Sequence, residues 1–260
     1  MKQIFIFLVL LCGAVGMLSA QTKAPSKEAI QMAKDANNPL ASITTLSLQN
    51  VYTPSMYGAE GSMNTAWIRA VQPIGGKVLI RASLPLNSVS MPGCDRSGLG
   101  DMNVFATWVL TKPTSHNQFG IGPILTVPTA TSRWLGSGKW QAGVAVAGYF
   151  AKSNVMQMGV LATWQHSFAG GSDRRKVHVA TIQPFVMWQV GGGTYLRSTA
   201  IKMLDFENST YVLPLGAGIG KVVRVNKMIF NIFIEPQFTL WHEGKGVPKW
   251  QLFMGINSQF

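Results

Sequence analysis

Apolar and polar residues alternate along most of this chain, in segments of roughly a dozen residues separated by Gly, Pro, Asn and Ser clusters. In the last segment Trp250, Leu252 and Met254 share one face, whereas Gln251 and Asn257 share the other. A period of two places alternate side chains on opposite faces of a strand. The pattern predicts about twelve strands: Leu40–Tyr52, Ser62–Ile74, Lys77–Leu86, Leu99–Thr111, Gln118–Thr129, Lys139–Ala151, Val155–Phe168, Val177–Val190, Thr194–Leu204, Thr210–Val222, Met228–Trp241 and Lys249–Phe260.

The connections between these segments alternate between short and long. Gly75-Gly76, Lys152–Asn154 and Gly191–Gly193 are tight turns, and Asn87–Gly98 and Ala130–Gly138 are among the longer connections between them. Short periplasmic turns, longer extracellular loops and an even strand number are typical of bacterial membrane barrels. The sequence therefore predicts an all-β fold, an antiparallel transmembrane β-barrel of about 12 strands with both termini in the periplasm.

A soluble β-sandwich also has strands that alternate with a period of two, and the aromatic residues weigh against that alternative. One group of aromatic residues falls near the predicted outer ends of the strands and another near the inner ends. The outer group is Trp140, Trp164, Tyr211, Trp241 and Trp250, and the inner group is Trp108, Tyr149, Trp188 and Tyr195. Two belts at interfacial height are the aromatic girdles of a membrane barrel.

The N-terminal residues predict export. Met1–Ala20 has a positive start at Lys2, an apolar stretch and small residues at its end, which is typical of a cleaved secretory signal peptide. The alternative is an uncleaved membrane anchor, but the apolar stretch is shorter than the ~20 residues that a span needs. After Gln21 no apolar run is long enough for a helical span. We therefore expect the protein in the bacterial outer membrane.

A short periplasmic helix is predicted over Ser26–Asn37, where Ser26 can cap its start and Pro39 prevents its continuation. Its role stays open between a periplasmic lid, a plug in the lumen, a contact for a partner and a simple spacer. The predicted organisation is a signal peptide over 1–20, an N-terminal periplasmic segment with this helix over 21–39, and the barrel over 40–260.

Charge is scarce and unbalanced. Charged residues make up 12% of the chain, against about 25% in an ordinary soluble domain. A barrel with lipid outside and a polar lumen suits this composition. The net charge is +12, but the basic residues form no interleaved patch on one element, so we expect no nucleic-acid partner.

Several stretches resemble the outer-membrane barrel family described as meta-pathway phenol-degradation proteins and often labelled simply transporters. They cover nearly all of the mature chain, and their order and spacing are more specific than any one of them. They are NNPLA at Asn37–Ala41, SGLGD at Ser97–Asp101, GIGPILTVPTAT at Gly120–Thr131, LGSGKWQAG at Leu135–Gly143, WQHSFAGG at Trp164–Gly171, IQPFVMW at Ile182–Trp188, PLGAGIGKVV at Pro214–Val223 and PKWQLFMGINSQF at Pro248–Phe260. The resemblance implies an outer-membrane location and passage of small solutes, hydrophobic or aromatic ones included. Cys94 is a departure from the family.

Charged residues on the polar faces are the candidate functional residues of the lumen. We expect the faces of Arg69, Arg81, Arg197 and Glu235 to point inward, because a charge facing lipid at mid-membrane costs about 2–4 kcal/mol, and Gln237 shares the face of Glu235. They could form a basic constriction that favours anions or polar solutes. Alternatively, they form a network that fills the lumen, in which Glu235 pairs with an Arg.

The sequence also leaves open whether the lumen is free or filled. Small inward residues such as Ala145 and Ala147 favour a free lumen, whereas Arg81, Arg197 and Phe233 favour a filled one. We expect a passive channel or transporter for small solutes, with a closed barrel of structural or surface-interaction role as the alternative. A lipid-modifying barrel enzyme is a weaker third hypothesis.

No enzymatic site is expected. His166 and Ser167 are adjacent on a strand and therefore face opposite sides, so they cannot form a catalytic pair. The scattered histidines show no metal-ligand spacing, and no cofactor is predicted. The terminal Phe260 is predicted as the signal that barrel-assembly machinery reads. The other expected partners are outer-membrane lipid and a small-molecule solute, and the barrel is expected to be a monomer or weak oligomer.

Overall fold

The computed structural model describes residues 36–112, 115–153 and 155–260, which form one antiparallel sheet of fifteen strands. The predicted signal peptide and most of the predicted helix Ser26–Asn37 lie outside these residues. The strands are β1 (Thr45–Met56), β2 (Ser62–Ile74), β3 (Val78–Met91), β4 (Cys94–Leu99), β5 (Met102–Val109), β6 (Asn117–Val127), β7 (Lys139–Phe150), β8 (Met156–Gly170), β9 (His178–Gly191), β10 (Thr194–Ser198), β11 (Lys202–Asp205), β12 (Thr210–Gly216), β13 (Gly218–Val225), β14 (Met228–Glu243) and β15 (Pro248–Gln259).

These fifteen strands make twelve barrel strands, because three barrel strands are interrupted. β4 and β5 both pair with β3, β10 and β11 both pair with β9, and β12 and β13 both pair with β14. The barrel closes where β1 pairs with β15, from Thr45↔Gln259 to Met56↔Pro248. The predicted closed antiparallel barrel of twelve strands is confirmed.

The predicted difference in connection length between the two rims holds in part, because the connection between β5 and β6 at one rim is as long as that between β8 and β9 at the other. We call the rim that carries Gly75-Gly76 and Gly191–Gly193 the short-turn rim; the first residue of β1 and the last of β15 also lie there. Both glycine turns have positive φ, which L side chains adopt at a cost. We call the opposite rim, with the connections between β6 and β7 and between β8 and β9, the loop rim.

Two predicted boundaries are wrong. The first strand begins at Thr45 rather than Leu40, because residues 36–40 turn into the barrel. The predicted loop Asn87–Gly98 is instead a continuation of β3 and β4, which pair from Leu86↔Leu99 to Met91↔Cys94 and turn at Gly93. Val89 on this hairpin is buried, but most of its neighbours are Ser, Asn, Asp or Arg, so the apolar alternation is too short for the sequence to reveal a strand.

Outward side chains are mostly apolar along the barrel wall, and inward ones are mostly polar or small. On β1 the outward Leu46 and Leu48 are exposed, and the inward Ser47 is buried. Exposed tryptophans ring both rims: Trp140, Trp164, Trp241 and Trp250 lie toward the loop rim, and Trp108 and Trp188 toward the short-turn rim. Tyr149 and Tyr195 do not belong to a girdle, because both are buried inside the barrel. No helix in the described ranges is long and apolar enough to cross a membrane.

Candidate functional site: the barrel lumen

The segment that precedes β1 lies inside the lumen at its short-turn half. The Asn38 side-chain amide donates to Oε1 of Gln118 on β6 at 3.0 Å. On β14, Asn231 Nδ2 donates to the Ala36 carbonyl at 3.2 Å and to Asn37 Oδ1 at 3.0 Å. Leu40 is only 4% exposed. Polar and apolar contacts therefore fix residues 36–40, which we call the lumen segment, to several strands of the wall.

Small residues on the wall make room for the lumen segment. Ala145 and Ala147 on β7 point inward and are buried in the same apolar cluster as Leu40. A Cβ added to Gly120 on β6 would lie 3.1 Å from Leu40 Cδ2. The small inward residues that favour a free lumen in the sequence thus line the space that the lumen segment fills.

Arg197 on β10 and Glu235 on β14 form a buried ion pair on the inner face of the barrel wall. Arg197 Nε donates to Glu235 Oε2 at 2.7 Å, and the Glu235 side chain is 0% exposed. The carboxylate also accepts from the Thr199 backbone N–H and hydroxyl, each at 2.7 Å, and from Gln237 Nε2 at 3.0 Å. With these partners the cost of removing both charges from water is offset by short charge-assisted hydrogen bonds.

The neighbours of this ion pair are shaped to hold it. The Arg197 guanidinium lies 3.6 Å from the Phe233 ring centroid, a cation–π contact. A Cβ on Gly216 would collide with Glu235 Oε1, so glycine leaves room for the carboxylate there. The expected pairing of Glu235 with an Arg is present, with Arg197 as the partner, but Arg69 and Arg81 lie outside this ion pair.

The interruption between β10 and β11 lies beside the ion pair. Continuing the register of β10 and β11 would place Thr199–Ile201 opposite Pro184 on one side and Pro214 on the other, and neither proline has an N–H to donate. Side chains complete the hydrogen bonding, because the Thr199 N–H donates to Glu235 and its carbonyl accepts from Gln183 Nε2 at 3.0 Å. Sequence reasoning identified Glu235 but missed Thr199 and Gln183, whose roles depend on this break.

Arg69 and Arg81 lie on β2 and β3 and face the lumen without an acidic partner. Among residues 36–112, 115–153 and 155–260, the pair Arg197–Glu235 is the one ion pair. Arg69 donates to Gln49 Oε1 and lies 4.7 Å from the Trp67 ring centroid. Arg81 lies 4.2 Å from the centroid of Phe105. The Nε atoms of both arginines are buried and have no hydrogen-bond partner within the described structure.

These groups surround a cavity of about 190 Å³ between the lumen segment and the wall. Arg69, Arg81 and Arg197 all line it, and its described lining contains no Asp or Glu. Its other walls include Leu161, Phe185, Met187, Phe233 and Phe253. The cavity therefore combines a cationic wall with apolar and aromatic walls.

The loop rim is narrowed by the connection between β6 and β7. Asn87, which has the same parity as Arg81 on β3, donates to the Leu135 carbonyl at 2.7 Å, and Leu135 is buried. Asp101 accepts from the Ser137 N–H at 2.6 Å and from its hydroxyl at 2.7 Å. Arg174 donates to the Ser137 carbonyl at 2.9 Å. Asp101 lies at the break after β4, where it anchors this connection.

The neighbouring histidines His166 and His178 and the adjacent Ser167 lie on opposite faces of the wall. His166 and His178 lie next to each other on neighbouring strands, with ring centroids 5.2 Å apart, and Trp164 Nε1 donates to His178 Nε2 at 3.0 Å. Ser167 points to the other face and is buried. Across the part of the chain that the structure describes, no three His, Cys, Asp or Glu residues group in a way that could hold a metal ion.

Comparisons with known proteins point to one class of barrel. No family model and no curated protein sequence matches the chain significantly. An outer membrane channel from Pseudomonas putida F1, known from its crystal structure, superposes with a TM-score of 0.64 at 15% identity, over 85% of this chain and 96% of that one. The NanC porin superposes with a TM-score of 0.55 at 9% identity, over 83% of this chain and 98% of that one. The fold of this chain is thus the closed antiparallel barrel found in outer-membrane channels and porins.

Proposed function

We propose that this protein is a passive outer-membrane channel for small solutes. The observation that carries the proposal is the lumen cavity, which lies inside a closed barrel whose outer surface is apolar and whose inner surface carries unpaired arginines. Such a barrel satisfies every backbone group within its own wall and so can cross a bilayer. An outer-membrane location and direct contact with outer-membrane lipid are part of the proposal, as is a monomer or weak oligomer.

The class of solute rests on two kinds of support. The stretches that resemble the phenol-degradation barrel family favour small hydrophobic or aromatic solutes. The aromatic side chains of the cavity, such as Phe185 and Phe233, agree with that class. An enzymatic role has less support, because the histidine pair and Ser167 face opposite sides of the wall.

The lumen segment favours a second candidate function. Residues 36–40 and the connection that includes Leu135 both narrow the lumen. In the channel proposal these residues describe a closed state, from which the lumen segment has to move before solute passes. In a closed barrel with a structural or surface-interaction role, they would stay in place permanently.

Single-channel recording in planar bilayers separates these two functions. We expect discrete conductance steps and, in asymmetric KCl, a reversal potential that indicates anion preference, because Arg69 and Arg81 are the uncompensated lumen charges. Bilayers exposed to detergent alone are the control. The channel proposal fails if correctly folded protein gives no steps, and cation preference would contradict the role of the two arginines.

We also propose that barrel-assembly machinery reads the terminal aromatic residue. Phe260 follows β15, is 59% exposed, and its N–H donates to the Thr44 carbonyl at 3.1 Å. Phe260→Ala should lower the amount of folded protein in the outer membrane, measured by heat-modifiable migration on gels. Phe238→Ala is the matched control, because Phe238 is 57% exposed on the outer face of β14. Equal loss in both variants would mean that the terminal position has no special role.

A further inference from the structure

The lumen cavity carries two positive charges that the described side chains do not compensate. Arg69 and Arg81 are diagonal neighbours, because Arg69 pairs with Ser83 and Arg81 pairs with Val71. Diagonal neighbours on one face lie within reach of each other's long side chains. The third arginine of the cavity, Arg197, is already neutralised by Glu235. The cavity as a whole therefore attracts anions.

The chemistry of these two arginines favours an oxyanion. Buried charges in proteins are usually paired, and a buried unpaired guanidinium is costly. The Nε atoms of Arg69 and Arg81 are buried without a partner among the described residues, and both side chains contribute to the lining of the cavity. The planar fork of a guanidinium matches the two oxygens of a carboxylate. Two adjacent forks can hold one carboxylate from two sides.

The apolar walls of the cavity indicate what is attached to the carboxylate of the ligand. Leu161, Phe185 and Met187 reach the same cavity from β8 and β9, and Phe253 reaches it from β15. The volume is about 190 Å³. An engineered apolar cavity of about 150 Å³ in another protein binds benzene, so a body the size of one aromatic ring fits here.

We propose that the cavity is a binding site for small organic carboxylates with an apolar body, in which Arg69 and Arg81 bind the carboxylate and the walls of β8 and β9 bind the body. This inference deepens the channel proposal and rests on it, because the cavity is taken to lie on the path of the solute. In this proposal Arg69 and Arg81 select the solute. The pair Arg197–Glu235 instead stabilises the wall.

Titration calorimetry of the purified full-length protein in detergent tests the site with three probes. Benzoate is a carboxylate with an apolar ring, benzamide is its neutral isostere, and acetate is a carboxylate without the ring. We expect benzoate to bind at least about tenfold more tightly than either, because a charge-assisted hydrogen bond is roughly twice as strong as a neutral one and the ring adds apolar burial. Equal affinities for benzoate and benzamide would overturn the proposal.

Variants locate the binding. Arg81→Gln and Arg69→Gln should each weaken benzoate about tenfold and leave benzamide unchanged, and Arg81→Lys should weaken benzoate less, because it keeps the charge. Lys77→Gln is the control, since Lys77 is an exposed cation just before β3. Heat-modifiable migration verifies the fold of each variant. Benzoate affinity that neither arginine variant lowers would overturn the site.

One further variant is compared with the natural sequence. Benzoate is also titrated into Asp35→Asn, which removes the acidic residue that directly precedes the described segment in the sequence. Absence of benzoate binding in both backgrounds overturns the carboxylate site, even if conductance steps persist. Benzoate binding without any conductance leaves the site intact and instead contradicts the channel function.

Discussion

Leu40→Ala should raise the open probability of the channel by at least about tenfold. Leu40 is buried against the lumen wall, and truncating a buried Leu to Ala costs about 2–5 kcal/mol. Here the substitution destabilises the closed state, in which the lumen segment occupies the lumen, relative to the open state. Since about 1.4 kcal/mol changes an equilibrium constant tenfold, even the low end of this range shifts the balance strongly toward the open state.

Single-channel recording and liposome swelling measure this effect. Leu48→Ala is the matched control, because Leu48 is the same residue type on β1 but faces outward and is 44% exposed. It should leave the open probability unchanged. Should Leu40→Ala also leave it unchanged, the main barrier would lie elsewhere, and the connection that includes Leu135 at the loop rim would be the next candidate.

Glu235→Ala should destabilise the barrel by about 3–5 kcal/mol, because it leaves Arg197 as an uncompensated buried charge. It also removes the acceptor of the Thr199 N–H and hydroxyl and of Gln237. An unsatisfied buried donor bears the full cost of its lost hydration. The effect should therefore exceed that of any exposed substitution on the same strand.

Denaturant unfolding in detergent, followed by circular dichroism, measures this loss. Glu243→Ala is the matched control, since Glu243 is an exposed acid at the end of β14, and it should change stability by no more than about 0.5 kcal/mol. The double variant Arg197→Met with Glu235→Leu should recover part of the loss, because apolar replacement of a whole buried pair is often tolerated. Equal unfolding midpoints for Glu235→Ala and Glu243→Ala would refute the structural role of the pair.

The sequence predicted the barrel well because the physics of its wall is periodic. A wall with lipid on one side and a lumen on the other imposes a period of two on every strand, and β2 begins and ends at its predicted residues. The periodic signal stops where the wall leaves the lipid. The hairpin of β3 and β4 above Leu86 and Leu99 mixes polar and apolar residues on one face, where Val89 pairs with Arg96, so the sequence predicts a loop there.

The candidate site was predictable in its residue types but not in its pairings. Alternation alone places Arg69, Arg81, Arg197 and Glu235 on inward faces. Which arginine pairs with Glu235 depends on strands that are far apart in the sequence. β13 lies between β10 and β14 and pairs with both of them. Tyr149 and Tyr195 were placed in a girdle from their height along the strand, but their parity points them inward. Assigning an aromatic residue to a girdle therefore requires both its height along the strand and the face on which its parity places it.

The break at Thr199 links the mechanical continuity of the wall to the chemistry of the lumen. Around most of the barrel, main-chain hydrogen bonds join each strand to the next, and they do not depend on which side chains are present. At Thr199 the hydrogen bonding of the main chain is completed instead by the Glu235 carboxylate and the Gln183 amide. At this height the lateral cohesion of neighbouring strands therefore depends on side chains. A substitution in the lumen can for that reason weaken the wall itself.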